Sequence, residues 1–292
     1  QAADTPIVST GGVAYNIGVS GNSKFTYSDN VTLGGDAGTT NGNPYQNSND
    51  PNAKGNNIAI GRISLNGSSG GANVALGSKT FLNGKGDYNF LGNFAAGFNS
   101  TISNTIAIGS FAGSGATGNK NVWLGTGQAG GSTGNNTVLI GSNSKVDGNF
   151  NYGIGHNAEL KGESNAVVGA YNHVTANNTY VLGDHVDTTL NNAVVLGSHS
   201  TAESSDVVNT PSYTYAGGTV NFAGTAPVST VSVGATNQER TITHVAAGRV
   251  SADSTDAING SQLYGANQQI DNLYNKISNI GKEANKGDAR AA

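Results

Sequence analysis

The 292-residue chain contains no cysteine and no methionine. Without thiols it has no disulfide staple, no thiolate nucleophile and no cysteine-based zinc site. Without methionine it has no initiator of its own, so a processed product or a piece of a longer protein is expected. Charge is scarce too: 11% of residues are Asp, Glu, Lys or Arg, and the net charge is −4. No basic face is available to neutralise phosphates, which argues against nucleic acid as a partner. No apolar run reaches the ~18 residues of a membrane-spanning helix, and no signal peptide is present. Any export signal or membrane anchor is therefore expected outside this sequence. Five prolines against 44 glycines fit neither collagen nor a proline-rich linker. They fit a chain that turns often between short strands.

An internal repeat is the informative presence. A short apolar segment ending in glycine recurs as YNIG (to Gly18), VTLG (Gly34), IAIG (Gly61), VALG (Gly77), NFLG (Gly92) and IAIG (Gly109). It continues as VWLG (Gly125), VLIG (Gly141), YGIG (Gly155), VVG (Gly169), YVLG (Gly183) and VVLG (Gly197). The glycines are 16, 27, 16, 15, 17, 16, 16, 14, 14, 14 and 14 residues apart. The long step, with Pro44 and Pro51, reads as an insertion over residues 35–56. Fourteen to sixteen residues suit two short strands and two turns, coiled into a flattened all-β roll. At ~4.8 Å per stacked strand, about twelve coils would extend roughly 55–60 Å.

These strands are apolar on both faces. The residue before each glycine is almost always Ile, Leu or Val. Its neighbour, two before the glycine, is Ala59, Ala75, Phe90, Ala107, Trp123, Leu139, Val167, Val181 or Val195. Alternate residues of an exposed sheet should be polar. A thin roll has a single interior, so a second covering surface is predicted, most simply another copy of the chain.

Near the C-terminus the period changes. Leu263, Ala266, Ile270, Leu273, Ile277, Ile280, Ala284, Gly287 and Ala291 keep alternating steps of three and four. This is a heptad seam with Ile at a and d positions, a pattern that favours trimers or tetramers over dimers. A lone amphipathic helix packed on the roll is the alternative. Gly265, Gly281 and Gly287 each cost about 1 kcal/mol against alanine, so the helix is expected to need a partner.

Between roll and helix, VSVGATNQERTITHVAAGRVSADSTDAINGSQLY (Val231 to Tyr264) closely resembles the neck of the trimeric autotransporter adhesins. The residues that match are Glu239, Arg240, Ile242, Val245 to Gly248, Thr255, Asp256, Ala257, Asn259, Gln262 and Leu263. The repeats, with forms such as NNIAIG and SNAVVG, resemble the YadA-like head. The resemblance implies a left-handed parallel β-roll (solenoid) head over 1–200 and a hairpin-like insertion over 201–230. A neck over 231–264 and the start of a coiled-coil stalk over 265–292 follow, in a homotrimer. It implies a cell-surface adhesin of a Gram-negative bacterium, held in the outer membrane only through a C-terminal anchor absent from this fragment. The partners implied are a host-cell receptor or an extracellular-matrix protein, without cofactor or turnover. The tail Gly281–Ala292 resembles fusobacterial members, which brings carcinoembryonic-antigen-related cell adhesion molecules among the candidate receptors. Arg240, His244, Asp256, Asn259 and Gln262 are expected to build the neck, with His244 placed where subunits meet.

Other apparent motifs have plainer readings. Gly113, Gly115 and Gly118 spell GxGxxG, but a strand follows instead of a phosphate-binding helix. His156, His173, His185 and His199 are spaced 17, 12 and 14, so turn-lining histidines are expected and not a metal row. Lys85-Gly86-Asp87 and Lys286-Gly287-Asp288 read as turn and helix-surface residues. Phe81, Phe94, Phe98 and Phe111 follow the glycines of adjacent coils, and are either core or an aromatic receptor-binding patch. Among competing functions, a trimeric β-helix acyltransferase would need 18-residue coils and a marked catalytic histidine. A phage tail fibre lacks the neck pattern. A purely structural spacer predicts a roll without exposed apolar clusters.

Overall fold

The computed structural model describes residues 7–9, 16–19, 29–38, 50–53 and 55–292. Most of the 35–56 insertion lies outside the described residues. The chain forms two compact units: Gln1–Val207 with Val228–Glu239, and Val208–Pro227 with Arg240–Ala292.

The first unit is a β-solenoid. Among the described residues its main sheet has fourteen strands, parallel at every step after the antiparallel pair Ile7–Ser9 and Asn16–Val19. The register is regular: Ile58, Val74, Phe90, Ile106, Val122 and Val138 are successive partners, 16 residues apart. From Val138 the step shortens to 14, through Tyr152, Ala166, Tyr180 and Val194. The opposing wall changes with it. Shorter coils run there as the sheet Lys145–Asp147, Glu159–Lys161, His173–Thr175 and Asp187–Thr188. Longer coils pair there too, as Thr101–Ser103 with Thr117–Asn119, and add a turn ladder in which Lys79, Phe81 and Asn83 are all left-handed (φ 58°, 56° and 54°).

Two apparent irregularities of the repeat disappear in the structure. Leu91, not Phe90, pairs with Ala75 and Ala107 and is buried, while Phe90 faces outward. The residue standing in the glycine's place is Asn93 (φ 81°), so steps of 15 and 17 become 16 and 16. Asparagine tolerates the left-handed region and can replace the glycine there. At the other end Gly18 pairs with Thr32, not with Gly34.

The interior is filled from both walls. Ala59, Ala75, Leu91, Ala107, Trp123, Leu139, Val167, Val181 and Val195 line one side, and Leu65, Phe81, Ile102, Val146, Leu160 and Val174 come from the rest of the coils. From Ala75 to Trp123, small and large residues alternate between coils. A Cβ at Gly113 would lie 2.8 Å from the Trp123 ring, so the first glycine of the GxGxxG run is accounted for by packing.

Beneath the apolar core lies a polar column. Asn30, Asn57, Asn73, Asn89, Thr105, Asn121, Thr137, Asn151, Asn165 and Thr179 are buried, each just before its strand. Except at Thr137, whose Oγ1 accepts from Trp123 Nε1 and donates to Asn121 Oδ1, each side-chain oxygen accepts the backbone N–H of the equivalent residue in the next coil. Examples are Asn73 N–H to Asn57 Oδ1 (3.0 Å), Asn165 N–H to Asn151 Oδ1 (3.1 Å) and Thr179 N–H to Asn165 Oδ1 (2.9 Å). The amides reach across the turn as well: Asn165 Nδ2 donates to Ala176 O at 2.6 Å. Asn165→Ala is therefore expected to strand a buried N–H and a buried carbonyl and to cost about 1–3 kcal/mol. Asn165→Thr should cost less, because Thr105 already fills this role for Asn121 N–H at 3.4 Å. Denaturant unfolding of the two variants checks the order.

The outer face of the main sheet is apolar. From Val31–Leu33 to Val194–Leu196, the three-residue strands bury the middle side chain and turn the flanking ones outward, Gly92 excepted. Ile60, Ile108 and Ile154 keep 41, 40 and 53% of their surface. Ile58, Leu76, Phe90, Ile106, Ile140, Tyr152, Val168, Tyr180 and Leu182 extend two columns along the roll. The two-faced character read from the sequence is present.

The sheet's final strand is Val231–Ser232, beside Val194–Val195. The residues first read as the start of the neck thus close the roll.

Candidate binding surfaces and the neck

The four phenylalanines separate. Phe81 is in the core, with no surface to offer a receptor, and Phe98 is half-buried. Phe94 and Phe111 remain 38 and 47% exposed, and meet edge to face at 5.4 Å. Lys79 Nζ lies 5.4 Å from the Phe94 ring centroid. The two partners differ because Phe111 occupies a left-handed turn position (φ 61°) and Phe94 the position before it in the preceding coil. Sequence alone gives no sign of which turn residues point inward.

The same turn position recurs as Gly127, Asn143, Asn157, Tyr171, His185 and His199, with φ between 51° and 64°. Of the four histidines, His185 and His199 share this register. His173 lies in the opposing wall, and His156 falls one residue out of step, with Nδ1 2.7 Å from Ser142 Oγ. The His185 and His199 rings stack at 4.8 Å and 4°, and Tyr171 covers the other side of His185 at 5.0 Å. Asp184 Oδ2 is 2.7 Å from His185 Nδ1. Hydrogen bonding from His185, then from Ser198, holds the Asp184 carboxyl below its ordinary range. Among the described residues, Asp184, His185 and His199 are a group whose possible ligand atoms lie within 4.8 Å of one another.

The two tripeptides are engaged structurally. Lys85 bridges neighbouring coils, and Asp87 Oδ1 accepts Gly71 N–H at 2.9 Å. Lys286 pairs with Glu283 at 3.2 Å.

In the second unit, Ser212–Tyr215 and Gly218–Asn221 form the expected hairpin. Side chains alternate along a strand, so Tyr213, Tyr215, Val220 and Phe222 share one face, and all are exposed. Thr214 and Thr219 meet on the other at 3.1 Å.

The neck residues explain how an extended strand is tied to a helix. The helix Gly260–Ala291 opens with a reciprocal cap between Asn259 and Gln262. Gln262 accepts Gly248 N–H at 2.9 Å and returns a bond to Gly248 O at 2.7 Å. Asn259 Nδ2 donates to Val245 O at 3.0 Å. Arg249, which the sequence reading did not single out, forks onto Asp256 at 2.8 and 3.1 Å. That pairing lowers the Asp256 carboxyl from its ordinary value and raises the Arg249 guanidinium. Arg240 and His244 are exposed, the latter at φ 61°. Among the described residues, none from 203 to 292 is buried. Leu263, Ile270, Leu273, Ile277 and Ile280 all face solvent in the single chain. No helix among the described residues is long and apolar enough to cross a membrane.

Residues 241–286 match the family model of the coiled stalk of trimeric autotransporter adhesin. A curated relative, the autotransporter adhesin BtaE of Brucella suis, is 51% identical over 87 residues. That stretch is 30% of this chain and 12% of the relative, so the chain spans a small part of that protein's length. A solved C-terminal YadA-like domain from Burkholderia pseudomallei is 42% identical, covering 38% of this chain and 55% of that one, with a TM-score of 0.34.

Proposed function

We propose that this chain is the head, neck and first stretch of stalk of a trimeric autotransporter adhesin, displayed on the outer face of a Gram-negative cell. The observation that carries this reading is the segment 241–286. It matches the adhesin stalk, and its heptad seam is uncovered in one copy of the chain. Four heptads of seam without a core need other copies to bury them, and Ile at both a and d suits three. The outward columns of the roll ask for the same cover.

Attachment then works by burial of surface patches, with three copies adding avidity to each weak contact. No cofactor and no turnover enter. The exposed Phe94 and Phe111 pair is the candidate contact for a host-cell receptor, of which carcinoembryonic-antigen-related cell adhesion molecules are one class, or for a matrix protein.

Sedimentation of the fragment tests assembly, and saturable binding to immobilised receptors and matrix proteins tests attachment on the same sample. A particle near three times 29.3 kDa that binds one of them supports the whole reading. A stable monomer overturns the assembly, and a trimer that binds nothing points to a spacer.

A further inference from the structure

We propose that Asp184, His185 and His199 form a binding site for a divalent transition metal, of which Zn2+ is the probe of choice. The site stands apart from the adhesin reading and from the aromatic pair.

The donor set is right for such an ion. Two imidazoles and a carboxylate are the ligands that zinc and its neighbours take, where thiolates are absent. The backbone places them. His185 N–H donates to Ala170 O at 3.1 Å and His199 N–H to Asp184 O at 2.9 Å. The two residues hold the same left-handed conformation, φ 52° and 58°, one coil apart. Their side chains therefore leave the roll in parallel, which the 4° angle between the rings records.

Each ring has one nitrogen next to an oxygen. Asp184 Oδ2 lies 2.7 Å from His185 Nδ1, and Ser198 Oγ lies 2.7 Å from His199 Nδ1. Ser198 can in this way orient the His199 imidazole and leave its second nitrogen for the ion, whereas Asp184, as a ligand itself, exchanges its bond to His185 Nδ1 for the ion. The candidate donor atoms of the three residues are within 4.8 Å of one another. Ligands at 2.0–2.1 Å from one zinc lie at most about 4 Å apart. An imidazole nitrogen binds in its ring plane, so the two exposed rings must also turn out of their stack about their side-chain torsions to aim at one ion. Water has room to complete the shell.

The turn does not itself call for histidine. Gly127, Asn143 and Asn157 hold the same conformation in earlier coils. This supplies the conservative test variants: His185→Asn and His199→Asn keep a residue that the turn already accepts.

Titration calorimetry of untagged protein with ZnCl2 should show saturable binding of one ion per chain. His199→Asn should weaken it at least tenfold, as should His185→Asn, and Asp184→Asn should weaken it less. His156→Asn, outside the group, should leave it unchanged. Unfolding curves of the variants should match the parent in the absence of metal. Absence of saturable uptake overturns the proposal, and so does uptake that survives in the His185→Asn/His199→Asn double variant.

Discussion

Gly125→Ala is expected to break the roll, and Gly131→Ala to leave it nearly intact, although both glycines have positive φ. Gly125 sits at φ 126°, in a region open essentially to glycine alone. A Cβ there would lie 1.4 Å from Gly141 O and 2.6 Å from its carbonyl carbon. Those atoms belong to the next coil's backbone, which is held by the strand ladder Val122–Leu124 to Val138–Ile140. No rotamer relieves the clash, because Cβ precedes every side-chain torsion. The coils must part, and with them the bonds that set their spacing. A loss above about 4 kcal/mol is expected, in the exceptional range of point mutations. Gly131 has φ 65° and nothing within 4 Å of a Cβ. The cost there is the left-handed penalty of alanine, about 1–2 kcal/mol. Ala129, at φ 60°, shows the fold accepting such a residue. Urea unfolding followed by circular dichroism separates the two; equal losses would refute the account.

Ile277→Lys is expected to dissociate the assembly and melt the helix while sparing the roll. Ile270 and Ile277 are 63 and 60% exposed in one chain, and burying such a side chain contributes about 1.5–3 kcal/mol. The helix has little else. Three glycines cost about 1 kcal/mol each, and packing supplies most helical stability in proteins. A lysine in every copy replaces that burial with facing like charges. Sedimentation should fall to 29.3 kDa, and the helical part of the far-ultraviolet spectrum should be lost with the sheet part retained. Ser278→Lys, one residue round the helix, is the control and should remain associated. A monomeric Ser278→Lys, or an associated Ile277→Lys, contradicts the seam.

What could be read beforehand followed from which residues are interchangeable. Where glycine alone fits, as at Gly61, Gly77, Gly109 and Gly125, the repeat announced itself and set the coil length. Where asparagine could take over, as at Asn93, the marker vanished and the strand is offset by one residue, which groups Phe90 with Ala59, Ala75 and Trp123 where the structure puts Leu91. Asparagine hid the polar column too, because NNIAIG and SNAVVG look like turn residues before a strand. Only the stacking shows that each one serves the next coil. The phenylalanines and histidines divided on turn geometry, which places side chains in alternate directions with no trace in residue type. The segment 231–264 carries a recognisable pattern, yet the reason for Asn259 and Gln262 lies in bonds to Val245 and Gly248, fourteen residues away.

The asparagine column makes the roll a modular ruler. Because the 14-residue coils from Asn151 to Thr179 each present the next with a side-chain acceptor at the same place, a whole period there can be removed or duplicated without leaving a mismatched seam. Excising residues 166–179, for instance, brings Asn165 against Tyr180 just as Thr179 stood before it. Stacked repeats that touch only their neighbours tolerate such changes. The reach of the roll can thus vary in whole-coil steps, with the residues at either end untouched.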